Sequence, residues 1–113
     1  MPFIDVKIAG PISEERKLML KTKLGQAISI LNKTEKFLMV GIVDNYELYF
    51  GGEKLRTGAY ISVSLFGSLS ANVCAEMTEN LCTMFASELG IPKDKIYITY
   101  HGIKDWGWNG RNF

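Results

Sequence analysis

The chain has 113 residues, of which 47% are hydrophobic and 22% are charged. This length predicts a single domain over residues 1–113, and the composition is that of an ordinary globular protein rather than a disordered, collagenous or low-complexity chain. Thirteen Lys and Arg against twelve Asp and Glu give a formal net charge of +1. Because no long basic block is present, we expect no nucleic-acid partner.

The longest apolar run, residues 37–43, is far shorter than the roughly 18 residues of a membrane-spanning helix. The first residues also lack the charged and apolar regions of a signal peptide. We therefore expect no membrane partner, and a location that is either cytoplasmic or secreted without a signal peptide.

The predicted elements form an internal repeat with an offset of 57 residues. Each half, about 2–45 and 59–102, contains an alternating apolar run, a serine, a stretch of helical pattern and a second apolar run. The matched pairs include Ile4 with Ile61, Val6 with Val63, Ile8 with Leu65, Gly10 with Gly67, Ile12 with Leu69 and Ser13 with Ser70. Two pseudo-symmetric βαβ units are therefore predicted, each with parallel strands.

The first unit predicts a strand over residues 3–8, a helix that Ser13 caps and that ends near Asn32, and a returning strand over residues 38–43. Acidic residues in the first helical turn favour this start. The apolar face of the helix is expected to consist of Leu20, Leu24, Ala27, Ile28 and Leu31.

The second unit predicts a strand over residues 60–66, a helix from the cap Ser70 to Gly90, and a strand over residues 95–100. Its helix is expected to present Val73, Met77, Leu81, Met84 and Phe85 to the core. Right-handed crossovers place both helices on one face of a four-stranded mixed sheet, so the predicted fold class is α+β.

The returning strand over residues 38–43 is apolar at nearly every position, which is typical of a strand buried on both faces. The two helices cover only one face of the predicted sheet, and no further element is left for the other. We therefore expect an oligomer in which the sheets of the subunits face one another.

Common catalytic and metal-binding motifs, such as HExxH, CxxC and the Walker loop, are absent, so we expect neither a metal nor a cofactor. Cys74 and Cys82 lie eight residues apart in one predicted helix, about 12 Å along its axis, which is too far for a disulfide. We interpret them as small hydrophobic residues. Gly51 and Gly52 predict a turn, and His101 is interpreted as an exposed residue at a strand end rather than a general base.

The start of the chain offers one chemical group of interest. Removal of Met1 would leave Pro2 with a secondary amine at the beginning of an apolar strand. An α-amino group has a reference pKa of about 7.7–8.0, and burial or a nearby lysine lowers it, so that it can act as a general base at neutral pH. By its position alone, Pro2 is also explained as a residue that merely starts a strand.

Six segments, in order along the whole chain, carry a further pattern. They are Met1-Pro2-Phe3-Ile4, Asn32-Lys33, Tyr49-Phe50-Gly51-Gly52, the strand from Ser62 to Gly67, the segment from Ile96 to Tyr100, and Gly107-Trp108-Asn109. Together they resemble the macrophage migration inhibitory factor family of the tautomerase superfamily. The resemblance implies a homotrimer whose sheets form a central barrel, and a keto–enol tautomerase that acts on small α-keto acids such as phenylpyruvate.

The resemblance also implies the roles of individual residues. Pro2 becomes the general acid and base, Lys33 binds the substrate carboxylate, and Phe37 is the aromatic residue that follows that lysine. The position of Lys33 at the end of a helix is explained by its favourable interaction with the helix dipole. Only the combination of Lys33 with the other matching segments favours a role in substrate binding. The other predicted substrate contacts are Leu65, Phe66, Tyr97, Thr99, Trp106 and Trp108, with Tyr97 and Thr99 reaching the pocket from a neighbouring subunit.

Several positions depart from the family pattern. Thr99 occupies a position that is often Asn, Phe66 one that is typically aliphatic, and Trp106 one that is commonly small and apolar. We therefore expect a narrower and more aromatic pocket. The segment aligned with the family's CxxC motif, residues 58–61, has no cysteine, so thiol oxidoreductase activity is not expected.

Two other functions stay open. The chain is consistent with a cytokine-like signalling protein that binds a host or cell-surface receptor and retains only a vestigial site. The order strand–helix–strand, twice, also occurs in ferredoxin-like binding modules such as RNA-recognition domains, which residues 56–61 faintly resemble. The near-neutral charge, the long helices and the apolar strand over residues 38–43 argue against that module.

Overall fold

The computed structural model describes residues 1–113. In the first βαβ unit, strand β1 (Pro2–Ala9) is followed by helix α1 (Glu14–Ala27) and strand β2 (Met39–Val43). The side chain of Ser13 caps α1 by accepting a hydrogen bond from the backbone N–H of Arg16, as predicted.

Helix α1 ends earlier than the sequence predicts. A 3₁₀ turn over Ile28–Leu31 carries the chain from α1 to Asn32, which adopts a left-handed φ of 60°. The residues of this turn, Ile-Ser-Ile-Leu, are mostly weak helix formers, and a tightened last turn is common in such segments. The apolar residues predicted for this helix are nevertheless all buried, because the 3₁₀ turn continues the same face.

The second unit repeats this arrangement. Strand β5 (Gly58–Phe66) is followed by helix α2 (Ala71–Leu89) and strand β6 (Ile96–Ile103). Ser70 accepts a hydrogen bond from the backbone N–H of Val73, and Gly90 ends the helix with a φ of 68°. Neither helix is long and apolar enough to cross a membrane.

Two short hairpins complete the chain. Strands β3 (Tyr49–Phe50) and β4 (Glu53–Lys54) join the two units through Gly51 and Gly52, whose positive φ angles confirm the predicted turn. Strands β7 (Gly107–Trp108) and β8 (Arg111–Asn112) form a hairpin at the end of the chain that the sequence analysis did not predict.

The four long strands form one mixed sheet in the order β2-β1-β5-β6. The strands of each unit are parallel, and β1 and β5 are antiparallel at the centre, where Pro2 lies opposite Leu65 and Ala59 lies opposite Ile8. The 57-residue offset of the repeat equates Pro2 with Ala59 and Ile8 with Leu65, so it converts each of these pairs into the other. The two units are therefore related by an approximate two-fold axis between β1 and β5.

The core lies between the two helices and one face of this sheet. It contains 17 buried apolar residues, drawn from alternate positions of β1 and β5 and from the predicted faces of the helices. Met77, Leu81 and Phe85 of α2 are fully buried, and Val73 and Met84 pack partly buried against them. No polar or charged residue is buried, so the core is lined by apolar side chains.

The other face of the sheet is open in the single chain. Met39 and Val43 of β2 are 69% and 48% exposed, while Val40 and Ile42 pack against the core. The predicted burial of this strand on both faces is therefore not present within one chain. Elsewhere on the same face, six half-buried or exposed side chains are polar, namely Asp5, Lys7, Ser62, Ser64, Thr99 and His101, whereas Phe3, Tyr60 and Phe66 contribute aromatic rings.

Asp44, directly after β2, connects the ends of the first unit. Its carboxylate accepts a hydrogen bond of 3.0 Å from the backbone N–H of Ile12 and lies 3.1 Å from the ammonium of Lys17. The hydrogen bond from Ile12, and then the one from Lys17, lower the pKa of Asp44. Asp44 thus ties the end of β2 to the start of α1 while it is ionised.

We expect Asp44→Asn to reduce the acid dependence of stability. Because folding lowers the pKa of Asp44 from its usual value of about 3.9, the contribution of the carboxylate is complete above that value and is lost as the pH falls through the lower pKa of the folded state. Urea unfolding near neutral pH and below about pH 3 measures this loss, which should be smaller in the variant. Asp105→Asn, at an exposed carboxylate outside any ion pair, is the control. If the parent, Asp44→Asn and Asp105→Asn all lose the same stability in acid, Asp44 is not the group responsible.

Candidate functional site

Pro2 is the first residue of β1 and is buried at the end of the two central strands. Its neighbour across the sheet, Leu65, is only 1% exposed and faces the helices. The sequence produces this position because the alternation of buried residues in β1, at Pro2, Ile4, Val6 and Ile8, begins with the proline itself. The start of the strand is therefore held at a fixed place by the core.

The backbone of Phe66 connects the start of the chain with Lys33. The N–H of Phe66 donates a hydrogen bond of 3.1 Å to the carbonyl of Met1, and the carbonyl of Phe66 accepts one of 3.4 Å from the ammonium of Lys33. Lys33 reaches this place because Asn32 turns the chain in a left-handed conformation at the end of the 3₁₀ turn. The predicted site residues Pro2, Lys33 and Phe66 are thus brought together.

The amino group at the start of the chain has a lowered pKa. Burial lowers the pKa of the Met1 amine, and the positive charge of Lys33 lowers it further. Both causes arise from the position of the strand end beside Lys33. A terminal amine at this place therefore loses its proton more readily than an amine in water.

Aromatic rings form an apolar wall beside Phe66. The ring of Phe66 lies 5.5 Å from that of Phe113, which lies 6.3 Å from Trp108, and Trp108 lies 5.7 Å from Phe37. The β7–β8 hairpin places these tail residues, since the N–H of Phe113 donates a 3.0 Å hydrogen bond to the carbonyl of Trp106. Phe37, Trp108 and Phe113 are each between 43% and 49% exposed, so the wall is open to a ligand.

The sequence analysis missed Phe113. Phe113 follows Trp106 and Trp108 as the third aromatic residue of the tail, and this clustering was a signal that it belongs to the same site. Its position, however, depends on a hairpin that is too short to have a recognisable sequence pattern. Trp106, which was predicted to contact substrate, contributes its backbone carbonyl to the hairpin and takes no part in the ring contacts of the wall.

Two predicted site residues lie elsewhere in the single chain. Tyr97 is opposite Tyr60 in the sheet, whereas Pro2 is opposite Leu65. The five positions between Tyr60 and Leu65 correspond to about 16 Å at 3.3 Å per residue. Thr99, two residues after Tyr97, is also on this remote part of the sheet, so one chain alone does not bring either residue to Pro2.

Both remote residues have other partners. The ring of Tyr97 packs 5.6 Å from that of Phe50, and its side chain is exposed. The hydroxyl of Thr99 shares a 2.7 Å hydrogen bond with Tyr60 and one of 3.0 Å with Nε2 of His101. His101 is exposed, as predicted, although β6 continues two residues beyond it.

Outside this place, the residues of chemical interest are the side chains that could bind a metal ion and the two cysteines. No group of three or more His, Cys, Asp or Glu side chains is arranged to hold a metal ion. Cys74 and Cys82 are free thiols on α2. Burial raises the pKa of Cys82, which disfavours the reactive thiolate.

Comparisons with known proteins agree with this geometry. The family model of macrophage migration inhibitory factor matches residues 1–113. Macrophage migration inhibitory factor of Meriones unguiculatus is 26% identical over 115 residues, which span 100% of this chain and 99% of that protein. The crystal structure of Leishmania major MIF2 is 29% identical, with a TM-score of 0.91 over 100% of this chain and 97% of that one.

A more distant structure shows the same fold. The crystal structure of Pt0534 inactivated by 2-oxo-3-pentynoate is 12% identical and has a TM-score of 0.87, over 97% of this chain and 94% of that one. At this identity the likeness concerns the fold alone. The family match, in contrast, extends over the whole sequence. This chain belongs to the macrophage migration inhibitory factor family.

Proposed function

We propose that this protein is a keto–enol tautomerase of small α-keto acids such as phenylpyruvate, with the amine of Pro2 as general acid and base after removal of Met1. One observation carries the proposal: the start of β1, the ammonium of Lys33 and the backbone of Phe66 converge on one place beside an open aromatic wall. These groups supply a base, a carboxylate partner, an N–H donor and an apolar surface.

The contact between Met1 and Phe66 indicates how substrate oxygen would be held. The carbonyl oxygen of Met1 accepts the N–H of Phe66 at 3.1 Å. Removal of Met1 frees this donor and transfers the terminal amine to Pro2, one residue into the strand. A substrate oxygen then takes the place of the Met1 carbonyl, and Lys33 pairs the substrate carboxylate.

In the proposed keto–enol conversion, a single base moves a proton from carbon to oxygen. In phenylpyruvate, the hydrogens on the carbon beside the keto group are acidified by the carbonyl and the phenyl ring. The neutral amine of Pro2 takes one of these protons, a carbon–carbon double bond forms, and the carbonyl oxygen becomes an enolate that the N–H of Phe66 stabilises. The protonated amine then gives the proton to that oxygen, which yields the enol and restores the amine.

The aromatic wall favours this class of substrate. The rings of Phe37, Trp108 and Phe113 offer an apolar contact for the phenyl group.

We also propose a homotrimer in which the sheets join into a barrel. The exposed Met39 and Val43 lie on an edge strand whose outer backbone groups have no partner in the chain. The polar residues at the centre of the open face suit the wet interior of a barrel better than the dry contact of two stacked sheets. In this assembly, Tyr97 and Thr99 reach the Pro2 site of a neighbouring subunit.

We expect Pro2→Gly to lower kcat by about 10²–10⁴, the usual contribution of a positioned general base. The variant keeps an amine but loses the ring that fixes it. Protein that retains Met1 should be inactive, because its amine is displaced and the N–H of Phe66 is occupied. The assay follows enol–keto conversion of phenylpyruvate by ultraviolet absorbance, with the processed state checked by intact mass.

Pro11→Gly, a proline-to-glycine change in an exposed loop, is the control and should retain activity. Equal rates from processed and Met1-retaining protein would exclude the amine as the base. Activity lost in Pro2→Gly, with any receptor-binding response intact, would instead support the signalling alternative.

Lys33→Ala should separate binding from proton transfer. Loss of a charge-assisted contact worth about 1.5–3 kcal/mol should raise KM roughly 10- to 150-fold with a smaller effect on kcat. Because the Lys33 charge lowers the pKa of the nearby terminal amine, its removal should also move the acid limb of the rate–pH profile to higher pH. Lys36→Ala, three residues away and exposed, is the matched control; an acid limb that moves equally in both variants would contradict the pairing.

Met39→Lys should dissociate the proposed trimer by placing a charge at the exposed edge strand. Sedimentation equilibrium should give three times the 12.7 kDa chain mass for the parent and a lower mass for the variant. Leu18→Lys, at an apolar residue 63% exposed on α1, is the control and should remain a trimer. A parent that sediments as a monomer at micromolar concentration would contradict the assembly.

A further inference from the structure

The turn of the terminal β7–β8 hairpin consists of Asn109 and Gly110. Trp108 pairs with Arg111 across the hairpin, so these two residues alone connect the strands. Their φ angles are 54° and 83°, both positive, as a two-residue turn that follows the twist of a hairpin requires. Asparagine tolerates this left-handed conformation, and glycine adopts it without strain. The shape of the hairpin therefore depends on this dipeptide.

An asparagine that precedes a glycine is chemically labile, because the backbone nitrogen of the glycine can attack the side-chain carbonyl carbon without hindrance from a side chain. Asn109 is the asparagine of this chain that precedes a glycine, and it is exposed to water. A Cβ added at Gly110 would meet no atom within 4 Å, so the space beside the attacking residue is open. The N–H of Gly110 also donates no hydrogen bond to the backbone. The attacking nitrogen is therefore unhindered.

Two other asparagines share the conformation of Asn109 but not its neighbour. Asn32 and Asn45 are exposed and have left-handed φ angles of 60° and 54°. They are followed by Lys33 and Tyr46, whose side chains crowd the backbone nitrogen that would attack. These residues provide an internal comparison in which the backbone is alike and the following residue differs.

We propose that Asn109 is a site of spontaneous deamidation and that this modification releases the aromatic wall. The nitrogen of Gly110 loses its proton and bonds to the side-chain carbonyl carbon of Asn109, and the side-chain nitrogen leaves as ammonia. The product is a five-membered succinimide ring. Water then opens the ring at one of its two carbonyl groups, which yields either aspartate or isoaspartate. Water is the only co-reactant, and the inference does not depend on the proposed tautomerase reaction.

Isoaspartate changes the hairpin more than aspartate does. Its main chain runs through the side-chain carbon, so one methylene group is added to the turn. Because the length of a two-residue turn fixes the register of its strands, this addition should break the pairing of β7 with β8. The 3.0 Å hydrogen bond from the N–H of Phe113 to the carbonyl of Trp106 should be lost with it. The ring of Phe113, which lies 5.5 Å from that of Phe66, then leaves the wall.

The test follows the full-length protein during incubation at mildly alkaline pH, where the attacking nitrogen loses its proton more readily. Peptide mapping by mass spectrometry measures amide loss at each asparagine, and fragmentation distinguishes isoaspartate from aspartate. We expect Asn109 to convert at least about tenfold faster than Asn32 or Asn45, which corresponds to a barrier lower by about 1.4 kcal/mol. Circular dichroism in the far ultraviolet confirms that the protein stays folded.

Tryptophan fluorescence reports on the hairpin in the same samples. The two tryptophans of the chain, Trp106 and Trp108, both lie in the tail. Their emission should therefore change in proportion to the isoaspartate formed at residue 109, without a signal from the rest of the fold.

Three variants separate the causes of this change. Asn109→Gly lacks the side-chain carbonyl, and because Gly-Gly also forms this turn, its emission should stay constant during the incubation. Freshly prepared Asn109→Asp carries the new charge without the added methylene group, and it should retain the emission of the fresh parent. Asn45→Gly, at the other exposed asparagine with a φ of 54°, is the matched control and should change as the parent does.

Three results would overturn the proposal. The first is amide loss at Asn109 that is no faster than at Asn32 and Asn45, and the second is amide loss that begins only after the circular dichroism of the folded protein is lost. The third is isoaspartate at residue 109 with unchanged tryptophan emission, which would mean that the hairpin accommodates the longer main chain. None of these measurements uses phenylpyruvate, so a failure of the proposed tautomerase function would leave them unaffected.

Discussion

The antiparallel pairing of β1 with β5 is the interaction on which the rest of the structure depends. It joins the two βαβ units, and its register sets which residues face the helices. A slip of one residue would turn Ile4 and Val6 away from the core and bring Asp5 and Lys7 into it. The same register brings Phe66 to Met1 and so fixes the start of the chain beside Lys33. Core packing and candidate chemistry are therefore determined by one set of hydrogen bonds.

Much of this fold could be predicted from the sequence because apolar periodicity directly reflects burial. The repeat, the helix caps Ser13 and Ser70 and the buried faces of both helices are confirmed. The early end of α1 could not be predicted, since the apolar pattern continues unchanged into the 3₁₀ turn over Ile28–Leu31. The apolar pattern of β2 also predicted burial on both faces, but Met39 and Val43 are exposed in the single chain, because an apolar pattern does not reveal what would cover a strand.

The candidate site was harder to predict because it is made by contacts between distant segments. No local pattern places Lys33 on the carbonyl of Phe66, 33 residues away. The resemblance to a family grouped Pro2, Lys33 and Phe66 in one site; the structure places the three close together, and their roles stay a prediction. Phe113 was not predicted because its place depends on the β7–β8 hairpin. The polar residues at the centre of the open face were not predicted because the apolar pattern of β2 indicated an apolar surface.

The hydrogen bond between Met1 and Phe66 has a consequence for competition at this end of the sheet. The carbonyl of Met1 is attached to the strand that carries it to its partner. Because this carbonyl belongs to the same chain as its partner, it meets the N–H of Phe66 without the loss of translational freedom that a free ligand would suffer. A free ligand competes with it for this N–H at a disadvantage. The accessibility of the Phe66 N–H therefore depends first on whether Met1 is present, and only second on the concentration of ligand around the protein.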